Sequence, residues 1–221
     1  MTVALILLVA MMAIVVGWLV KQTTNVSPWI ADTGPQAYDN EDQLQTNSVK
    51  VGLGVFLGVA TSLFALFVSA YMMRMELADW SPLTDPDILW FNTVFLIVAS
   101  VYFQLAHNAV KRLAINKVRN YFIVAGTFTI IFLIGQLEAW RQLNEAGYYL
   151  SSNPANAFFY LFTAVHGLHL LGGLWVWAST TLKFANASNV VEVGRSVELC
   201  TIYWHFLLIV WLALFALFIY T

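Results

Sequence analysis

Six runs without a charged residue dominate the chain: Thr2–Val20, Val51–Met73, Ile88–Val110, Asn120–Leu137, Ala146–Leu182 and Leu199–Thr221. An α-helix rises about 1.5 Å per residue, so about 20 residues cross a hydrocarbon core of roughly 30 Å. The runs are continuously apolar, without the alternation of a membrane β-barrel, and predict transmembrane helices. The fifth run is too long for one span. Ser151, Ser152, Asn153 and Pro154 near its front form a turn and a helix start, so that helix begins at Pro154 or Ala155. The fourth run is short and extends through Glu138 to Trp140, ending near Arg141. The first run lacks a preceding Lys or Arg and a following small-residue cleavage site, and reads as a retained helix rather than a signal peptide.

Lys and Arg placement orients the spans. One set of loops receives Lys21, Lys50, Lys111, Arg112, Lys117, Arg119, Lys183 and Arg195; the other receives Arg74 and Arg141. Cytoplasmic loops carry the excess of positive charge, so the richer side is cytoplasmic and both termini are outside. The resulting fold class is an all-α integral membrane protein with six transmembrane helices. Residues 1–21 form an N-terminal helix, 22–49 a polar cytoplasmic linker, and 50–221 a five-helix domain.

Composition agrees with a membrane location. The chain of 221 residues is 60% hydrophobic and only 10% charged, against about 25% charged in soluble domains. Its formal net charge of -2 argues against a nucleic-acid partner. Aromatics reach 15%, with nine Trp and nine Tyr, residues suited to the membrane–water boundary. Cys200 is the single cysteine, which rules out an internal disulfide and a thiolate metal cage. No phosphate-binding loop, dinucleotide fingerprint, serine elbow, metalloprotease motif or transporter-type repeat is present.

Candidate chemistry rests on a few polar residues in the spans. His107, His166, His169 and His205 all lie within apolar runs, where polar groups are expensive. His166 and His169 are three residues apart and share a helix face. Together with His205 they lie roughly 15–20 Å from their helix ends. Two histidines could hold a haem, but Trp204 and Phe206 crowd His205, and a di-metal site needs more ligands than the chain supplies. The preferred reading is hydrogen-bonded histidines that pack the fifth and sixth runs together. Glu138 and Glu198 are carboxylates within about a turn of predicted helix ends. Either could relay protons, although Glu138 reads better as a satisfied interfacial acid. Gly172–Gly173 after His169 is a close-packing signal.

Specific strings go further than composition. Tyr203-Trp204-His205-Phe206, followed by Val210-Trp211 and Tyr220, resembles the last helix of subunit III of haem–copper oxidases. Val165-His166-Gly167-Leu168-His169, with Gly172 after it, resembles another helix of that family. Leu89-Trp90-Phe91-Asn92-Thr93 resembles its Asn-Thr signature. Gln136 with Trp140, Glu198 seven residues before His205, and Phe56-Leu57 with Tyr71 and Arg74 match further family positions. The resemblance covers about residues 48–221 and is that of a divergent bacterial member. Common members have seven helices, or five when the first two are missing; five plus one N-terminal helix are predicted here. Two departures matter. The buried glutamate that carbodiimides modify in many members is here Ala60, and the Asp that often follows the Trp-His-Phe string is replaced by Leu207 and Leu208.

The resemblance implies a non-catalytic subunit of a proton-pumping terminal oxidase in a bacterial inner membrane. No cofactor is expected in this chain; haem and copper would reside in partner subunits I and II, and bound phospholipid is implied. The family role is to stabilise the catalytic subunit and to support proton uptake and oxygen access. Further subunits or a respiratory supercomplex are additional partners to consider. Asn92, Thr93, Gln136, His166, His169, Glu198, Trp204 and His205 are the candidate structural, lipid or partner contacts. The alternatives are a sibling subunit of a nitric oxide reductase and, in another class, a stand-alone haem-binding or transport protein.

Overall fold

The computed structural model describes Gly17 and residues 37–82, 87–186 and 190–220, as backbone alone over 37–48, 185–186 and 190–192. The predicted first helix, Gly17 excepted, lies outside the described residues. Among the described residues the fold is all helical: α1 Ala37–Arg74, α2 Ile88–Lys111, α3 Ile115–Glu145, α4 Pro154–Asn186 and α5 Val190–Tyr220. Each contains a stretch long and apolar enough to cross a membrane: Val49–Arg74, Ile88–Lys111, Ile115–Glu145, Pro154–Phe184 and Val193–Tyr220.

Where helix ends differ from the apolar runs, charged turns account for the difference. α1 begins at Ala37, inside the segment read as a linker. α3 continues to Glu145, one turn past its predicted end. There Arg141 bonds Glu138 one turn back and Glu145 one turn ahead, pairs that support an exposed helix face. Gly147, at φ 86°, then turns the chain out of the helix. α5 begins at Val190 rather than Leu199, so Glu198 lies about two turns inside the helix, not near its end. α4 starts as predicted: Asn153 Oδ1 accepts the Ala155 N–H at 3.2 Å and Pro154 occupies the first helical position.

The chain divides into two units, residues 1–69 and 70–221. In the first, Thr61 and Ser62 return their hydroxyls to the carbonyls of Leu57 and Gly58. This leaves no orphan donor on that stretch of α1, where lipid supplies no hydrogen bond. Ala60, at the position of the missing glutamate, is buried.

In the second unit α2 packs along α3 and α5, and α4 packs against α3 and α5. The buried positions of α3 are Val118, Phe122, Ala125, Gly126, Thr129, Phe132, Gln136, Ala139 and Leu143, spaced alternately by about three and four residues. That spacing is the seam of helices that cross at a shallow left-handed angle. Small and weakly polar side chains mark the seam, while Ile123, Ile130, Ile134 and Leu137 point outward. Both environments are apolar, so close backbone approach rather than hydrophobicity decides which face turns inward. Phe103, Phe122, Phe184 and Trp204, one from each of α2, α3, α4 and α5, join a core cluster with Val193 and Val197.

Candidate functional site

Tryptophan–threonine pairs tie the helices together. An indole N–H can only donate and needs an acceptor where water is absent. Trp211 on α5 donates to Thr93 on α2 at 2.9 Å, Trp204 on α5 to Thr129 on α3 at 2.9 Å, and Trp140 on α3 to Thr163 on α4 at 3.0 Å. In each case the threonine hydroxyl donates back to the carbonyl four residues earlier, at Leu89, Ala125 and Phe159. One hydroxyl thus satisfies its own helix and a neighbour. The sequence offered a signal for these partners: isolated threonines in otherwise apolar helices that also contain unpaired indoles.

His205 is held by α2. Its Nδ1 is 2.5 Å from Ser100 Oγ and its Nε2 is 3.0 Å from Gln104 Oε1. Because the amide oxygen can only accept, Nε2 carries the proton and Ser100 donates to Nδ1. Gln104 passes a further bond to Asn108 at 3.1 Å. Ser100 and Gln104, one turn apart, were not singled out from sequence. The expectation that histidines bind the fifth and sixth runs to each other is corrected here: the partner of His205 lies on α2. His169 bonds its own helix, through Nδ1 to the Val165 carbonyl at 2.8 Å, while its backbone oxygen accepts Tyr203 Oη of α5 at 2.9 Å.

His166 behaves differently. It is fully buried and neither ring nitrogen has a hydrogen-bond partner. It packs its ring against Phe132 of α3 and Trp211 of α5, with centroids 6.0 and 5.3 Å away. It therefore joins helices by ring packing, not by the predicted hydrogen bond. Asn92 and Gln136 are also buried; Asn92 Nδ2 and both polar atoms of the Gln136 amide find no protein partner.

Glycines set the close approaches. A Cβ on Gly173 would lie 2.7 Å from Tyr203 Cε1, and one on Gly126 2.0 Å from the Trp177 indole, whereas Gly172 has nothing within 4 Å. Only the second glycine of the Gly172–Gly173 pair marks the contact.

The carboxylates among the described side chains are superficial or half-buried. Glu138 forms a two-pronged pair with Arg141 at 2.8 and 2.7 Å, as expected of a satisfied interfacial acid. Glu198 is half-buried and takes part in an interaction. Beyond the spans, the Arg74 guanidinium holds the Asp79 carboxyl below the usual carboxylate range by direct hydrogen bonding. Among the described residues no three His, Cys, Asp or Glu side chains are grouped to hold a metal ion. Trp211 meets both Thr93 and His166, Asn92 lies against Gly135, the neighbour of Gln136, and His169 reaches Tyr203, beside Trp204 and His205, through its backbone oxygen.

These features define a multi-pass helical membrane protein. Comparison with known proteins specifies it further. The family model for cytochrome c oxidase subunit III matches residues 2–221, and the chain belongs to that family. The match begins well ahead of residue 48, where the motif resemblance starts. The chain is 31% identical over 178 residues to a probable cytochrome c oxidase subunit 3 of Mycobacterium leprae, covering 76% of this chain and 86% of that protein. It is 29% identical over 174 residues to a similarly named protein of Mycobacterium tuberculosis, with the same two coverages. Cytochrome c oxidase subunit 3 of Thermostichus vulcanus is 28% identical over 176 residues, covering 76% of this chain and 84% of that protein.

Proposed function

We propose that the chain is the non-catalytic subunit III of a haem–copper terminal oxidase in a bacterial plasma membrane. The family match over residues 2–221 carries this reading. The complex reduces oxygen to water with haem and copper held by subunits I and II, and this chain flanks and stabilises the catalytic subunit. Large apolar side chains exposed along the helices, among them Val94, Val101, Ile134, Leu168 and Trp175, support burial against a partner or lipid. Phospholipid binding and support of proton uptake and oxygen access are part of the proposal. With Ala60 in place of the family glutamate, and Leu207 and Leu208 where an Asp often follows the Trp-His-Phe string, proton uptake here draws on no deep carboxylate at those positions.

The proposed topology has six spans with both termini outside. Residues 1–21 form the first span, and the polar segment 22–49 merges into the start of α1. The Lys and Arg excess on alternate loops supports this orientation. Asn92, Thr93, Gln136, His166, His169, Glu198, Trp204 and His205 act as structural contacts within the bundle or toward partners and lipid.

The test is mild affinity purification from native membranes through a tag on this chain, followed by subunit identification and haem spectra. Haem–copper subunits I and II in equal amounts with the chain are expected. Recovery with nitric oxide reductase subunits, or alone with its own haem, would overturn the reading.

A further inference from the structure

Three buried side chains on three helices leave polar atoms without protein partners: Asn92 Nδ2 on α2, Gln136 Nε2 and Oε1 on α3, and His166 Nδ1 and Nε2 on α4. Their exposures are 1%, 4% and 0%. The geometry brings them to one layer. Asn92 presses on Gly135, where a Cβ would lie 2.0 Å from its Oδ1. Gln136 is the next residue and lies one turn beyond Phe132, whose ring meets His166. One turn further, Trp140 bonds Thr163, three residues before His166 on α4. Gln136 therefore faces α4 at the level between His166 and Thr163. Trp211 closes the layer from α5 through its contacts with His166 and Thr93.

The bordering polar groups are already committed. The Thr93 and Thr163 hydroxyls each donate to a carbonyl of their own helix and accept an indole N–H. The single N–H of Trp211 is used on Thr93. Buried polar groups are paired with protein or with ordered water as a rule, and lipid provides neither. The unpaired atoms are of both kinds. Asn92 Nδ2, Gln136 Nε2 and one nitrogen of neutral His166 donate; Gln136 Oε1 and the other imidazole nitrogen accept. An anion would leave the acceptors bare and a cation would leave the donors bare. A small neutral molecule that donates and accepts satisfies both.

We propose that Asn92, Gln136 and His166 form a binding site for ordered water inside the helix bundle, with Gln136 and His166 as direct ligands. A buried water makes two to four hydrogen bonds, which this donor and acceptor set supplies. The proposal stands apart from the assignment as an oxidase subunit, because it concerns this chain's own interior.

The test is a cryo-electron microscopy map of the intact native complex at a resolution where ordered waters are visible. A density peak within about 2.7–3.2 Å of both the Gln136 amide and a His166 nitrogen is expected. A direct Gln136–His166 hydrogen bond, or a layer without such a peak, would overturn the proposal. A second measurement uses thermal midpoints of the complex with Gln136→Leu, His166→Leu and both together. Sharing one water predicts that the double variant loses no more than about the larger single loss; strictly additive losses would count against it.

Discussion

His205 and His166 lie on adjacent helices, both deep in apolar spans, and are secured in opposite ways. His205 is half-buried and makes hydrogen bonds from both ring nitrogens to α2. His166 is fully buried, bonded to no protein group, and wedged between Phe132 and Trp211. Depth in the membrane is thus a poor guide to what a histidine does. The facing helix decides: α2 presents Ser100 and Gln104 to one, while the neighbours of the other are rings and hydroxyls already engaged.

The comparison predicts unequal costs. His205→Ala removes two interhelical bonds, strips Ser100 Oγ and Gln104 Oε1 of the imidazole and opens a cavity, for a loss of about 3 kcal/mol in denaturation of the complex in mixed micelles. A loss no larger than that of His166→Leu would erase the distinction between the two sites. Gly173→Ala drives a methyl into Tyr203 and Trp204 and costs about 2 kcal/mol. Gly172→Ala should stay within about 0.5 kcal/mol, and equal effects from the two would refute the assigned seam. His166→Leu strands no protein partner and keeps an apolar side chain of similar bulk, for a loss of about 1 kcal/mol.

The smallest effect lies outside the membrane, in the exposed Arg74–Asp79 pair. The folded-state pKa of Asp79 is depressed. Its contribution is therefore present above the unfolded carboxylate value, about 3.9, and disappears as pH falls through the folded value. The stability gap between wild type and Asp79→Asn should be slight at pH 7 and narrow further as pH falls below about 4. A gap that widens in acid would reverse the sign.

Much of this architecture was legible in the chain because lipid imposes a simple rule: a spanning segment satisfies its own backbone and excludes charge. The start of α4 at Pro154 followed from the Asn-Pro pair. Other ends were less legible, since the rule says nothing about helical turns that continue into water, as at Ile115, Glu145 and Val190. The inward faces were legible least. In a bilayer Ile134 and Phe132 are equally apolar, yet one faces out and the other is buried. The motifs located Trp204, His205, Asn92 and Gln136 without revealing their neighbours. Gly126 and Gly135 carried no signal, because a glycine's packing role depends on which indole or amide the fold brings to it.

On this reading the subunit acts through structure, its buried polar residues holding helices rather than performing chemistry. Purified complex carrying His205→Ala, assayed for subunit III content and for oxygen reduction per haem–copper subunit, tests it most directly. Less subunit III in the complex and near-normal initial turnover in each remaining catalytic subunit are expected. Full subunit content with abolished oxygen reduction would contradict it.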